Sequence, residues 1–357
     1  MNSFTHGASP VKVAIVGLGR ATFSEHVPYF EGARDLFKVV AACDVSRERR
    51  TMLAKSFPKC KMFRRYDDML DERDIELVLV ATPTENHLGQ AVAALQRKFW
   101  TVVETPMATT HKGALQLKGS SAAADHKLLP LQRGVFAPDF MAAAAVARDE
   151  RIGMLHGISI RKCDYIRRND WCTVKRLGGG ALLCEATDMF VQILRLLPVP
   201  PVQLWSETKR IAATGDTEDY FHVRFKTRSP LTADVEYDGG CMLRGSIPSF
   251  AIKGDRGFFY IMPGIGAGEL TAVAPGYKFP RRRSSVRTPP LRDMHEQFPE
   301  STFRISAPAG TEKGIAAFWS AVFSTVRNAA PFPIQIEESC DAIRLACIIK
   351  ESSVFRS

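Results

Sequence analysis

The feature that most constrains this chain is an apolar run that stops in a glycine turn. Val11–Val16 (VKVAIV) has the make-up of a fully buried strand. Gly17-Leu18-Gly19-Arg20-Ala21-Thr22 follows, and a helical pattern then runs to about Asp35. Strand, glycine turn and helix N-terminus in that order form a seat for a dinucleotide. Gly17 permits the tight turn, and Gly19 lets main chain approach a pyrophosphate. The helix N-terminus, with Arg20 and Ala21, favours the negative charge. Thr22 holds the third glycine position of the fingerprint, so helix and strand are expected to pack less closely there. Asp44 closes the second strand, 25 residues past Gly19, where a carboxylate can accept hydrogen bonds from the adenosine ribose; that favours NAD. Arg47, Arg49 and Arg50 lie just beyond and suit the 2′-phosphate of NADP, so both cofactors stay open.

Strands and helices continue to alternate. Phe37–Cys43, Ile75–Ala81, Trp100–Glu104 and Lys127–Leu131 read as strands. Ser46–Phe57, Glu85–Arg97 and Thr110–Ala124 read as helices, with Ser46 as an N-cap. That order predicts a parallel Rossmann sheet covered on both faces over residues 1–131. From residue 132 the texture changes. A helix is expected over Pro138–Asp149, a strand over Met154–Arg161 and one long helix over Gly180–Leu197. Tyr220–Lys226, Thr232–Tyr237 and Phe250–Lys253 then follow as strands without intervening helices, which predicts a mainly antiparallel open sheet. Residues 262–300, rich in Pro, Gly and Arg, are expected to form a long excursion. Helices over Lys313–Arg327 and Ile336–Val354 end the chain, the last one packing back on the first domain. The expected class is therefore α/β, with an N-terminal Rossmann domain and a C-terminal α+β domain over 132–357.

Composition narrows the partners. The 357 residues carry a net charge of +10, but the basic residues are spread out. The one dense cluster, Arg281-Arg282-Arg283, reads as a solvated loop, so nucleic acid is not an expected partner. No uninterrupted apolar run approaches the ~18 residues that would cross a membrane, and Met1–Pro10 carries no apolar leader segment. A cytoplasmic protein without membrane partners is expected. The eight cysteines form no CxxC pair and no zinc-like spacing with histidine, so reduced thiols and no metal site are expected.

Several stretches together resemble one family, the Gfo/Idh/MocA oxidoreductases. They are VGLGRATFSEHVPYF at 16–30, VLVATPTENHLGQAVAAL at 78–95, VVETPMATT at 102–110, FAPDF at 136–140, RRNDWCTVKRLGGGALL at 167–183 and DTEDYF at 216–221. The resemblance implies an NAD- or NADP-dependent enzyme acting on a CH–OH group of a sugar, cyclitol or related compound. It also implies a homo-oligomer joined through the open sheet face. Thr82, Pro83 and His87 match the loop that borders the cofactor; His87 either bonds ligand or caps the next helix. Lys162, Tyr165, Arg167, Arg168, Asp170 and Trp171 resemble a substrate-side group, with Trp171 suited to stack on a sugar face or to pack in the core.

Three positions depart from the family pattern. Glu104-Thr105-Pro106 stands where a Glu-Lys-Pro motif is expected, so a neutral Thr105 replaces a lysine. After Gly178-Gly179-Gly180, the helix carries Cys184 and Asp188 where the family places Asp or Asn and then His. Spacing of i, i+4 puts both on one helix face. Hydride transfer from an alcohol leaves a proton that a base must take. Asp188 is the expected base, given burial or the neighbouring Glu185 charge to raise its pKa. Cys184 is a poorer substitute, Thr105 can only donate a hydrogen bond, and Glu104 supports the site. The competing reading is a family member that binds nucleotide and sugar as a sensor or regulator and has lost proton handling.

Overall fold

A computed structural model describes residues 9–242, 245–280, 297–309 and 314–352. The Arg281–Arg283 cluster lies outside them. Six strands form the first sheet: β1 (Val11–Val16), β2 (Phe37–Cys43), β3 (Lys61–Phe63), β4 (Leu77–Val80), β5 (Trp100–Val103) and β6 (Leu128–Pro130). Their order is β3-β2-β1-β4-β5-β6, every pairing parallel. β4 is buried along its whole length, which is why it reads as continuous apolar sequence. The interleaved helices are α1 (Val27–Gly32), α2 (Arg47–Ser56), α3 (Tyr66–Leu70), α4 (His87–Gln96) and α5 (His111–Ala123). Ser46 caps α2 by accepting from the Arg49 N–H at 3.3 Å, and Thr110 caps α5 through the Gly113 N–H at 3.1 Å. The strand absent from the sequence reading is β3. It has three residues at the sheet edge, none of them buried, so no apolar run marks it.

The second half carries α6 (Pro138–Val146), β7 (Leu155–Cys163), α7 (Ala181–Cys184) and α8 (Ala186–Leu196). Seven further strands complete its sheet: β8 (Gln203–Lys209), β9 (Tyr220–Lys226), β10 (Thr232–Asp238), β11 (Phe250–Gly254), β12 (Gly257–Ile261), β13 (Ala267–Val273) and β14 (Glu300–Ser306). The order is β14-β13-β12-β11-β7-β10-β9-β8, antiparallel except for the parallel β7–β10 pair. In β9, Phe221, Val223 and Phe225 point to the core while Tyr220, His222 and Arg224 do not, the period of a half-buried sheet. Two expectations are corrected. The stretch 262–300 is not all excursion, because β13 lies within it. The helix expected over Gly180–Leu197 breaks into α7 and α8 at Glu185, whose φ of −120° leaves the helical region. By length and mean hydropathy alone Lys175–Leu196 would pass for a membrane-crossing stretch; here 72% of its apolar 18-residue window is buried inside the protein.

The chain ends with α9 (Gly314–Asn328) and α10 (Ile336–Ser352), and both return to the first sheet. Trp319 of α9 is fully buried against Phe30 and Phe37, ring centroids 4.7 and 5.4 Å away. Helix α10 packs on α5 and α8; Ser339 accepts from Gln132 Nε2 at 3.1 Å and Lys118 pairs with Glu337 at 2.8 Å. In open sheets of this kind the ligand crevice lies at the carboxyl ends of the strands, here those of β1, β4, β5 and β6, and on that side Asp188 of α8 meets the Gly134 N–H just past β6.

Candidate active site

The crevice begins at the glycine turn, beside the point where the strand order reverses. Gly17 has φ +91°, and a Cβ there would lie 2.6 Å from the main chain of Ala81 and Thr82, so no other residue fits. A Cβ on Gly19 would meet nothing within 4 Å, which leaves its main chain open to approach. Thr22 is wholly buried and its hydroxyl donates to the Gly17 carbonyl at 2.7 Å, stapling the turn. A wide π-type turn follows over Thr22–His26. Arg20 is exposed and Ala21 half-buried at the mouth of this helix.

Asp44 is buried at the tip of β2. One carboxylate oxygen accepts the Leu18 N–H and the other the Ser46 N–H, each at 2.8 Å. The acid thus braces the glycine turn itself. Arg49 Nη1 lies 3.8 Å from that carboxylate, and the Arg50 guanidinium donates to the Asp44 carbonyl. Two of the three arginines proposed for a 2′-phosphate therefore lean on Asp44.

The β4 loop is tied together from within. Thr82 donates to Gln90 Oε1 at 2.7 Å, with Pro83 half-buried beside it. His87 is fully buried, and its two ring nitrogens face the carbonyls of Thr82 and Pro106 at 2.7 and 2.8 Å. Burial lowers its pKa against those carbonyls. His87 thus fastens this loop to the next and directs neither nitrogen at the crevice. Thr105 likewise gives its hydroxyl hydrogen to the Leu131 carbonyl.

Glu104 meets His26 Nε2 at 2.8 Å, and the indole N–H of Trp319 donates to His26 Nδ1 at 3.1 Å. An indole N–H only donates, so Nδ1 is the acceptor and Nε2 carries the proton to Glu104. Burial alone would raise the Glu104 pKa. The His26 hydrogen bond and the Arg133 charge outweigh it and hold the carboxyl at about 2. Glu104 is therefore a fixed anion beneath the crevice.

Across the crevice, both Asp188 oxygens accept the Gly134 N–H, at 2.8 and 3.1 Å. A Cβ on Gly134 would lie 2.6 Å from Asp188 Oδ2, so glycine is what lets the two chains meet. Burial raises the Asp188 pKa to about 6, against the opposing pull of Arg133, Gly134 and Lys162. The side chains of Cys184 and Cys172, both free thiols, share a hydrogen bond. That hydrogen bond and burial push the Cys184 thiol well above the usual range, so it stays protonated.

The glycine run is the seam between the halves. A Cβ on Gly178 would lie 2.6 Å from Thr109 Cγ2, and one on Gly180 would lie 2.3 Å from Glu218 Oε1. The same Glu218 oxygen accepts the Leu182 N–H at 3.0 Å, capping α7. Lys162 pairs with Glu185 at 2.7 Å, and Arg168 forms a two-pronged pair with Asp170 at 2.6 and 3.1 Å. Asp170 also caps the short turn at Trp171, which is half-buried. Arg168, Cys172, Cys184, Glu185 and Tyr237 line a small pocket of about 40 Å³. A larger groove of about 410 Å³, between the end of α8, Pro198–Pro201 and α10, touches none of these groups.

Sequence reasoning missed His26, Arg133 and Trp319. For Arg133 a signal existed, because it follows β6 at its carboxyl end, where such sheets place ligands. For Trp319 there was none.

A parallel sheet with this strand order and a glycine turn at its switch point, followed by a second, mostly antiparallel sheet, define a dinucleotide-binding scaffold. Residues 11–130 match the family profile "Oxidoreductase family, NAD-binding Rossmann fold". Among curated relatives, an uncharacterized oxidoreductase of Schizosaccharomyces pombe is 25% identical over 75% of this chain and 76% of its own. A scyllo-inositol 2-dehydrogenase (NADP(+)) of Bacillus subtilis is 23% identical over 96% of this chain and 94% of its own. Among solved structures, an NAD-binding protein from Listeria innocua superposes with a TM-score of 0.80 at 20% identity, covering 97% of this chain and 98% of that one. The WlbA dehydrogenase from Bordetella pertussis, in complex with NADH and UDP-GlcNAcA, gives 0.74 at 16% identity, covering 96% of each chain. Over residues 11–130 the chain thus carries the NAD-binding Rossmann domain of the Gfo/Idh/MocA oxidoreductases, and its whole length is similar to members of that family.

Proposed function

We propose that this chain oxidises a CH–OH group of a carbohydrate-like compound, or reduces the matching carbonyl, with Asp188 as the proton acceptor and NAD as the preferred coenzyme. The observation that carries the reading is the Asp188 carboxylate. It is held by the Gly134 N–H on the crevice wall, with a pKa of about 6 that suits a base near neutral pH. The turn tests well as a pyrophosphate seat, since Gly19 is open and Gly17 admits no side chain. Gly17, Gly19 and the helix start at Arg20 would hold the diphosphate, and Asp44 the adenosine ribose. When bound, the coenzyme supplies the hydride acceptor. Asp188 takes the hydroxyl proton as the carbonyl forms. Glu104 stays ionised beside His26 and keeps the crevice floor fixed. Lys162, Arg168, Asp170 and Trp171 offer donors, acceptors and a ring face to a polyhydroxylated substrate.

Asp44 favours NAD because its anionic oxygens, already fixed by two N–H groups, would repel a 2′-phosphate. The curated relative that names NADP(+) and inositol, and the solved structure that holds NADH and a sugar nucleotide, support this general class. The outer face of the second sheet exposes Trp205 and Phe258, which suits a homo-oligomer.

The test is a thermal-shift titration with NAD and NADP, followed by a panel of inositols, sugars and sugar nucleotides monitored at the reduced-nicotinamide band. Stabilisation by NAD and turnover of a polyol are expected. Stabilisation without turnover in either direction would favour the sensor reading. No stabilisation by either coenzyme would remove both.

A further inference from the structure

Hydride loss from an alcohol carbon builds negative charge on oxygen, and a fixed cation in a water-poor site lowers that cost. Thr105 cannot supply one: it is neutral, and its hydroxyl hydrogen goes to the Leu131 carbonyl. Resting on the oxidoreductase reading above, we infer that Arg133 is the cation that faces the developing oxyanion, which leaves Asp188 as the only group that accepts the proton.

The placement follows from both ends of the residue. Its main chain runs directly into Gly134, whose N–H binds Asp188 at 2.8 Å. Its guanidinium crosses to Glu25, on the helix that leaves the glycine turn, next to His26 and so to Glu104. Arg133 therefore spans the crevice from the coenzyme-side helix to the base. Among the described residues its side chain makes one hydrogen bond, from Nη1 to Glu25, and a guanidinium has five N–H donors. The side chain is 39% exposed, so it is not sealed in the core and its remaining N–H groups are not all enclosed by protein. Glu25, Glu104 and Asp188 surround it, and their charges, against burial, keep it cationic.

The other cation near Asp188 is Lys162, whose Nζ sits on Glu185 at 2.7 Å and above the Tyr237 ring at 5.9 Å. That pairing holds it to the second-domain wall. Arginine differs from lysine in one decisive respect: it does not deprotonate in the working pH range, so it stabilises charge without relaying a proton. The groups facing Asp188 are then Arg133, the Gly134 N–H, Lys162 and Glu185. A single rate-controlling ionisation on the low-pH side follows, without an alkaline limb from Arg133.

Two readouts test this. The first needs no substrate. Sulfite adds through sulfur to C4 of the bound nicotinamide of NAD, the ring taking up the electron pair with no leaving group. The absorbing adduct places an anion beside the cation. Arg133→Met should weaken the adduct at least tenfold while thermal stabilisation by NAD alone stays unchanged, and Arg133→Lys should restore it. The second is turnover of the best panel substrate. Arg133→Met should lower kcat by about 10²-fold with KM nearly constant. Arg133→Lys should keep activity but add an alkaline limb, and Thr105→Lys should partly rescue Arg133→Met. An adduct and kcat that ignore Arg133→Met but collapse in Lys162→Met would overturn the inference and leave the oxidoreductase reading standing. No binding of NAD by the unaltered chain would overturn both.

Discussion

The two walls of the crevice are built on different principles. The coenzyme wall uses main chain: Gly17, Gly19 and the helix start lie within four residues of one another, and Asp44 holds the turn through the Leu18 N–H. The opposite wall, to which the proposed function gives the proton transfer, uses side chains brought from far apart. Asp188 meets Gly134 across 54 residues, and Glu104 meets His26 across 78. Local geometry can be altered only by breaking the turn. Assembled chemistry can be redistributed, with charge and base moved to other strand ends while the scaffold stays the same. On the reading proposed above, that is how a site with Thr105 and Cys184 at two key positions would still hold a base and a cation.

The sharpest way to break this contrast is Asp188→Asn. Removing the base should cut turnover by about 10²- to 10⁴-fold while NAD stabilises the protein as before. A parallel loss of NAD binding would show that the two walls are not separable. The converse is Gly17→Ala. Its Cβ would strike Ala81 and Thr82 main chain at a φ of +91°, so stability should fall by about 1–3 kcal/mol and the NAD thermal shift should vanish. An unchanged melt with full NAD binding would contradict the geometry.

Third comes pH. The Asp188 carboxyl lies at about 6 in the folded chain against an ordinary 3.8, so between those values the folded state binds more protons than the unfolded one. Its favourable contribution is complete below about pH 4 and is lost as pH rises through 6. Asp188→Asn should flatten that fall, making the variant more stable near neutral pH by on the order of 1 kcal/mol. Melting curves from pH 4 to 8 would check it, and an unchanged slope would remove the raised pKa. Glu104 has the opposite sign. Held at about 2 against 4.5, its contribution is present above about 4.5 and lost as pH falls through 2.

On the coenzyme wall, Asp44→Ala should shift the ratio of NAD to NADP affinity towards NADP by about tenfold, the loss of one charged hydrogen-bond acceptor. Titration with both coenzymes reads it directly. The smallest effect is expected for Cys184→Ala. A thiol pushed well above its ordinary pKa takes no proton during turnover, so kcat should change little. A large loss would make Cys184 a participant.

Legibility followed the same division. The glycine turn, Asp44 and five of the first sheet's strands could be read because each depends on neighbours in sequence. The strand β3 could not, because an exposed three-residue edge has no periodicity to show. The break at Glu185 was hidden for another reason. Gly180–Leu197 is apolar throughout, and the residue that leaves helical geometry is paired with Lys162 on a distant strand. His87 is the instructive case among the site residues. Its position beside the β4 loop was plain, but only the packed structure shows both nitrogens turned to the carbonyls of Thr82 and Pro106.

By itself, then, the sequence determined a parallel sheet with a diphosphate-sized turn at its switch point and an acid beside it. Strand and turn propensities act over a few residues, and a glycine with positive φ leaves a direct mark. Only the tertiary structure decided which titratable groups meet. It set Trp319 on His26 across 293 residues and Gly134 on Asp188. A pKa depends on burial and on charges nearby in space, and spacing along the chain specifies neither.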